Sequence, residues 1–310
     1  MPTTIDDVAA APPPQLSCLG KPLDMAPEAF GRLRESNDVL GSDHALRTRM
    51  DEDGCVLLRG FLGRERVLEA RHEMLARLAA EGALDPAHPL MDGVLRAGWQ
   101  NGFRIDLAKD NEPVRRVLYE GPMIEFFEGF LGQAVRHYDY TWVRSVGPGN
   151  GTPPHQDIVY MGRGTWNLWT AWTPMGDVSW ELGGLMVIPG THKHERLRNG
   201  YAKRDVDTYC TNRPLNTKGW NAPGTDGWLT NDPVGVRKRL GRWSSSEFRA
   251  GDVIIFSTCL VHAGLDNRTA NRMRLSTDSR YQPAAEPADE RWIGANPIGH
   301  GKAAKRGQIC

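Results

Sequence analysis

The sequence predicts a mainly β protein with flanking helices, built as a sandwich or barrel. Three observations predict it. From Gly132 to about Tyr281 the chain reads as short β-rich runs punctuated by Gly, Pro and Asn. Apolar residues at helical spacing are confined to the region before Gly132. The spacing of the β runs suits a sandwich or barrel better than a parallel sheet with crossover helices. At 310 residues the chain exceeds a small domain, yet a β core with helical decoration absorbs that length as one unit. The expected division is a disordered N-terminal arm over 1–20, a single domain over 21–285 and an extended C-terminal tail over 286–310.

Residues 1–20, and Ala9 to Pro14 above all, combine Ala, Pro and polar residues without apolar periodicity, a composition that buries too little surface to offset ordering entropy. Asp53-Gly54 then forms a turn before the short strand Cys55-Val56-Leu57-Leu58. Val67, Ala70, Met74 and Leu78 recur at helical spacing up to Gly82. A second helical stretch runs from Val114 through Ile124 and Phe127 to Leu131 and ends at Gly132, which suits the left-handed closing conformation. Together these make a helical flank over about 60–132. The strands of the core, about 133–282, are expected at 135–146, 166–172, 185–188, 253–256 and 274–281. No internal repeat is visible. The tail is Pro/Gly-rich and carries Lys302, Lys305 and Arg306.

The 38 basic and 38 acidic side chains cancel, so no whole-molecule field gathers nucleic acid or an anionic membrane surface. A small-molecule substrate is the expected partner, and the oligomeric state stays open. Cysteines 18, 55, 210, 259 and 310 are scattered, odd in number and without CxxC spacing, which argues against a disulfide framework and a structural zinc site. A reducing cytoplasm fits that usage. No apolar run approaches the roughly 20 residues of a membrane span, and the N-terminus lacks signal-peptide character.

His155-Gln156-Asp157 places two ligand-type side chains at i and i+2, which on a strand point to one face and can grip one ion. His262, just past the strand at 253–256, is the candidate third ligand. Two imidazoles and a carboxylate form the facial arrangement of non-haem iron oxygenases. His192-x-His194 is a competing pair in a polar loop after Pro189-Gly190, with Glu195 as its nearby carboxylate. His44, His72, His88, His137 and His300 have no ligand context. In Arg274-Leu275-Ser276 a guanidinium and a hydroxyl fall on one strand face, 12 residues after His262, a pair suited to a carboxylate. Two alternatives stand beside that reading: Arg274 pairs with Asp278 across the sheet, or Arg272 is the anchor.

These residues resemble, in ordered blocks over roughly 50–282, the phytanoyl-CoA dioxygenase family of iron(II) and 2-oxoglutarate oxygenases. The blocks are Asp53-Gly54 to Phe61-Leu62; His155-Gln156-Asp157; Gly183-Gly184 through Ile188-Pro189-Gly190-Thr191-His192-Lys193; Gly251-Asp252-Val253 through His262; Asn267; and Arg274 to Tyr281. The resemblance implies a double-stranded β-helix, a cupin-like jelly roll, with Fe(II) held by His155, Asp157 and His262. It further implies 2-oxoglutarate held by Arg274 and Ser276, with Trp172 lining its pocket, and O₂ as the oxidant. The family's usual lysine on the strand before the His-x-Asp motif is absent, with Val146 near that place and Arg144 two residues earlier. Tryptophans crowd the region (Trp142, Trp166, Trp169, Trp172, Trp180) and can supply apolar walls or barrel core.

The expected reaction hydroxylates a C–H bond of a small organic metabolite and releases succinate and CO₂; desaturation, cyclisation and epimerisation start from the same hydrogen abstraction. Asp157 argues against halogenation, in which the carboxylate position is vacated. Selectivity is expected from the segment 191–246, which carries Tyr201, Arg204, Tyr209, Arg213, Trp220, Trp228 and Trp243 and can act as a lid or a subunit contact. Two other classes remain: a metal-dependent cupin-like enzyme that does not use 2-oxoglutarate, and an inactive binding protein on the same scaffold. An intact Arg274-x-Ser276 speaks against the first, intact metal ligands against the second.

Overall fold

The computed structural model describes residues 13–99, 102–212 and 227–309. The strands that position the site are β1 (Phe30–Arg32), β2 (Cys55–Leu58), β3 (Gly102–Phe103), β4 (Val135–His137), β5 (Trp142–Val146), β6 (Trp169–Pro174), β7 (Leu185–Val187), β8 (Trp243–Ser245), β9 (Val253–Ser257), β10 (His262–Gly264) and β11 (Arg274–Pro283). Among the described residues they form two main sheets. The larger has the order β2-β9-β6-β11-β5-β3, with β4 also paired to β11; the smaller has the order β10-β7-β8-β1.

Alternation along the large sheet decides what each face covers. Val56, Leu58, Val143, Ala171, Val253, Ile255, Leu275 and Tyr281 turn outward into a core built with the helices. Cys55, Leu57, Trp172, Ile254 and Phe256 turn inward and meet Leu185 and Val187 of the small sheet. Two sheets face each other over this second core, which is the jelly roll that the resemblance implies. Apolar side chains fill one end of the interior. At the other end the same inward face carries Arg144, Thr170, Arg274, Ser276, Asp278 and Arg280, all on β5, β6 and β11.

The helices against the outer face are α1 (Asp43–Asp53), α2 (Arg64–Ala80), α3 (Glu112–Tyr119) and α4 (Pro122–Leu131). Helix α1 is not foreseen in the sequence because its one buried stripe, Leu46, Arg49 and Met50, is short and partly charged. Gly54 ends it with φ 75°, donating its N–H to Met50 O, so the predicted Asp53-Gly54 turn is the helix C-terminus. The stretch 114–131 is two helices rather than one, broken at Gly121, where φ is 56°.

Other expectations are corrected. The run 135–146 splits into β4 and β5, and 166–172 becomes β6 shifted toward Pro174. The arm expected over 1–20 is ordered where it is described: Leu16 and Cys18 are buried in a core with Met186 and Ile188, and residues 1–12 lie outside the described residues. The tail over 286–310 folds back. Trp292 and Arg291 are fully buried, and Arg306–Gln308 pairs in parallel with Thr208–Cys210. Cys18, Cys55 and Cys259 are buried free thiols, whereas Cys210 is disulfide-bonded, against the expectation from spacing. Within 191–246, Arg213 and Trp220 lie outside the described residues. No helix among the described residues is long and apolar enough to cross a membrane.

Phe127 of α4 stacks on Tyr281 of β11, ring centroids 4.2 Å apart and 16° from coplanar, and both side chains are fully buried. Phe127→Ala is expected to cost about 3–5 kcal/mol of stability in urea denaturation. A loss below about 1 kcal/mol would mean that the helices do not brace the sheet.

Candidate active site

The site forms where the loop before α5 (Ile158–Met161) runs along β10. Residues 149–155 act as an extra strand: Gly149 and Asn267 exchange both backbone hydrogen bonds at 2.9 and 3.0 Å, Gly264 N–H reaches Thr152 O at 3.0 Å, and His155 and His262 exchange both of theirs at 3.0 Å. Such close approach requires glycine. A Cβ on Gly151 would lie 2.0 Å from Gly264 O. The Asp266 carboxylate binds the N–H groups of Leu19, Gly20 and Gly151 at 2.7–2.9 Å, so the N-terminal residues brace this loop.

Directly paired residues of an antiparallel ladder project to one face, and the two imidazoles therefore lie side by side, ring centroids 4.1 Å apart. Asp157 reaches them differently from the sequence expectation. It is not on a strand; its φ of −61° and ψ of −29° begin α5, and this turn swings the carboxylate back toward the rings. His155 Nε2 and His262 Nε2 come within 3.7 and 3.6 Å of Asp157 Oδ1. One donor atom from each residue lies within 4.8 Å of the others, and all three residues are buried.

The donors are oriented for an ion. His155 Nδ1 donates to Pro153 O at 2.8 Å and His262 Nδ1 to Leu260 O at 3.0 Å, which fixes the tautomers with both Nε2 lone pairs facing inward. Asp157 Oδ2 is occupied by Thr170 Oγ1 at 2.7 Å and Arg280 Nη2 at 3.0 Å, leaving Oδ1 toward the imidazoles. Burial pushes the Asp157 carboxyl up, but Arg280 and the two imidazoles outweigh it and hold it well below the usual carboxylate range. Burial, with His155 beside it, pushes His262 down to about 4. A neutral imidazole at His262 and an ionised carboxylate at Asp157 are the protonation states a divalent cation needs.

Arg274 and Ser276 stand on the inner face of β11, with Arg274 Nη1 donating to Ser276 Oγ at 3.0 Å. Arg274 is 3% exposed, its Nε has no partner, and burial together with the nearby Arg144 pushes it down to about 10. A buried guanidinium short of acceptors is a site waiting for an anion. The Trp172 ring lies alongside, 5.7 Å from the Arg274 guanidinium carbon. One narrow cavity is lined by Arg274, Trp172, Arg144, Asp278, His155 and His262.

The structure places the residues of the sequence alternatives as follows. Asp278 pairs with Arg144 at 2.6 Å rather than with Arg274. Arg272 precedes β11, is exposed, and points its Nε to Asp92 O at 3.4 Å. His192 is buried against Gly54, and His194 Nδ1 accepts from Leu197 N–H at 3.4 Å, so neither joins the cluster. Arg280 and Thr170 were missed. The signal for Arg280 was available, since Arg274, Ser276, Asp278 and Arg280 continue one i+2 series along β11.

The described residues of segment 191–246 cover the loop from outside: Leu229 N–H bonds Pro154 O at 2.8 Å, Val206 N–H bonds Val159 O at 3.1 Å, and the Tyr201 hydroxyl donates to Gly227 O. The C-terminal segment bolts this cover down, with Arg291 bonded to Asp205 at 2.9 Å and to Asp207 at 2.7 Å.

Residues 50–275 match the family model of phytanoyl-CoA dioxygenase (PhyH). The chain is 30% identical over 265 residues to a 1-deoxypentalenic acid 11-beta-hydroxylase of Streptomyces exfoliatus, covering 80% of this chain and 83% of that one. In fold it is similar to the non-heme alpha ketoglutarate dependent epimerase SnoN from nogalamycin biosynthesis, with TM-score 0.57, 20% identity, and coverage of 83% of this chain and 90% of that one. It is similar also to EctD from S. alaskensis with 2-oxoglutarate and 5-hydroxyectoine, with TM-score 0.56, 16% identity, and coverage of 91% and 95%.

An unfolded imidazole takes up its proton near pH 6.5, whereas folded His262 resists until about 4. The native state therefore binds fewer protons across that window, and the metal-free protein is expected to lose stability as pH falls from about 6.5 to 4. Urea denaturation at successive pH values should show the decline, and His262→Gln should flatten it. An equally steep decline in the variant would assign the loss to other groups.

Proposed function

The chain belongs to the phytanoyl-CoA dioxygenase family and is an iron(II)- and 2-oxoglutarate-dependent oxygenase of the hydroxylase type; from this premise we propose that His155, Asp157 and His262 hold its iron and that Arg274, Ser276 and Trp172 form the seat of 2-oxoglutarate. The observation that carries the metal assignment is the convergence of two inward-facing Nε2 atoms and Asp157 Oδ1 in a buried pocket. Three donors on one side of an ion leave its other side for small ligands. Ferrous iron with 2-oxoglutarate and O₂ supplies the oxidation of a C–H bond to C–OH, with succinate and CO₂ as co-products.

The protein's own groups do the rest by position. The Arg274 guanidinium and Ser276 hydroxyl match one carboxylate of the oxoacid with charge-assisted hydrogen bonds. Trp172, 1% exposed, supplies an apolar wall that keeps water from that carboxylate, and in such a medium each hydrogen bond counts for more. Thr170 and Arg280 restrain Asp157 so that one carboxylate oxygen faces the metal.

For the substrate we propose a small organic acid, the class that the Streptomyces exfoliatus relative's name specifies for that enzyme, admitted under the cover formed by segment 191–246. The three buried free thiols support a cytoplasmic setting, and the disulfide-bonded Cys210 speaks against it.

With Fe(II), 2-oxoglutarate and 1-deoxypentalenic acid as first candidate substrate, succinate release is expected from the native protein. Asp157→Ala should lower it by at least about a hundredfold through lost metal. Arg274→Ala should raise the 2-oxoglutarate concentration required by about tenfold or more, whereas Arg272→Ala should change it little. Succinate assays and metal titrations of the four proteins check this, and equal behaviour of Arg272→Ala and Arg274→Ala would refute the anchor assignment.

A further inference from the structure

The inward face of β5, β6 and β11 carries more positive charge than the iron and the oxoacid account for. Arg144, Arg274 and Arg280 face the interior with Asp157 and Asp278, and a ferrous ion and a 2-oxoglutarate dianion cancel each other. One positive charge is left over in a buried setting, where charges are paired. Two of the three guanidiniums have a defined use: Arg280 is bonded to Asp157 at 3.0 Å, and Arg274 is bonded back to Ser276 at 3.0 Å.

Arg144 differs from both. It donates to Asp278 Oδ2 through Nε, at 2.6 Å, and that bond leaves its two terminal nitrogens, with four N–H bonds, without a protein acceptor among the described residues. Arg144 also stands at the mouth. Its edge-strand neighbour Phe103 is directly opposite in register, shares its face, and lays its ring 4.8 Å from the guanidinium carbon. That ring is 59% exposed, although a bare phenyl in water is unfavourable. A forked donor beside an uncovered apolar ring matches one kind of ligand, a carboxylate on an apolar body.

We infer that Arg144 is the specificity-determining residue that binds the carboxylate of the substrate, and that Phe103 covers the adjoining apolar part. This rests on the oxygenase reading above and deepens it. Asp278 engages Arg144 and Ser276 engages Arg274, so the two guanidiniums are held by separate partners and serve two different carboxylates.

The test uses the full chain loaded with Mn(II) in place of iron and saturated with 2-oxoglutarate, titrated calorimetrically with two pairs of probes: 1-deoxypentalenic acid and its methyl ester, and cyclohexylacetic acid and its methyl ester. In the native protein at least one acid should bind about tenfold or more tightly than its ester. Arg144→Gln should reduce that preference to about twofold or less, Arg144→Lys should keep part of it, and the dissociation constant of 2-oxoglutarate should move by no more than about twofold. Because Arg144→Gln strands the Asp278 carboxylate, the double variant Arg144→Gln/Asp278→Asn is measured beside it and should show the same loss. No acid preference in the native protein for either pair, or a weakening of 2-oxoglutarate in Arg144→Gln as large as in Arg274→Ala, would overturn the inference. Failure of the native protein to bind 2-oxoglutarate or to form succinate is a separate result, which would overturn the oxygenase reading and this inference with it.

Discussion

Two backbone hydrogen bonds, exchanged between His155 and His262, hold the site together. Residues 155 and 262 are more than a hundred positions apart in sequence, and closing that distance is entropically costly. The ladder from Gly149 to His155 along β10 offsets the cost with repeated backbone pairs, and its two innermost members are the histidines. Their side chains meet because direct opposition in an antiparallel pair leaves them nowhere else to point. Everything finer, the tautomers fixed by Pro153 and Leu260 carbonyls and the carboxylate turned in by α5, refines a geometry that the backbone has already set.

Short apolar runs and period-two alternation made the core legible. The strand at 253–256 was readable as the unbroken apolar run Val-Ile-Ile-Phe after Gly251-Asp252, and the strand at 274–281 as a series that puts Arg274 and Ser276 on one face and Leu275 and Tyr281 on the other. The site was readable for the same reason on β11, where Arg274 and Ser276 share a face. It was misread at Asp157, where the spacing was right and the conformation was not: a His-x-Asp pair brings both groups to one point from a strand or, as here, from a bridge followed by a helical turn. Spacing alone does not distinguish these. Helix α1 and the ordered N-terminal residues escaped notice because their burial depends on partners remote in the chain. Leu16 and Cys18 are covered by the small sheet, and Asp266 caps the backbone of Leu19 and Gly20. The C-terminal segment gave the opposite impression from its composition, since its Gly, Pro and Lys content conceals one fully buried Arg–Asp cluster around Arg291.

Polar groups at the other end of the interior from the apolar core divide their work. Histidine and Asp157 donors face one another; Thr170 and Arg280 occupy the second carboxylate oxygen; Asp278 steers Arg144 and leaves Arg274 with Ser276. Each carboxylate thus has a cationic partner, and each imidazole a carbonyl, before any ligand arrives. Little reorganisation is then required on binding, and little entropy remains to be lost.

Strand β11 lies in the middle of the large sheet, and all ten of its residues are buried. Its two faces read Arg-Ser-Asp-Arg toward the chemistry and Leu-Thr-Ser-Tyr toward the helices. Sliding it by one position would exchange them, bringing four polar side chains against the apolar helices and Leu275 and Tyr281 into the pocket. Folding and function are therefore scored on the same ruler, so that natural variation in what the enzyme accepts has its freedom in the cover and at the mouth, and almost none along this strand.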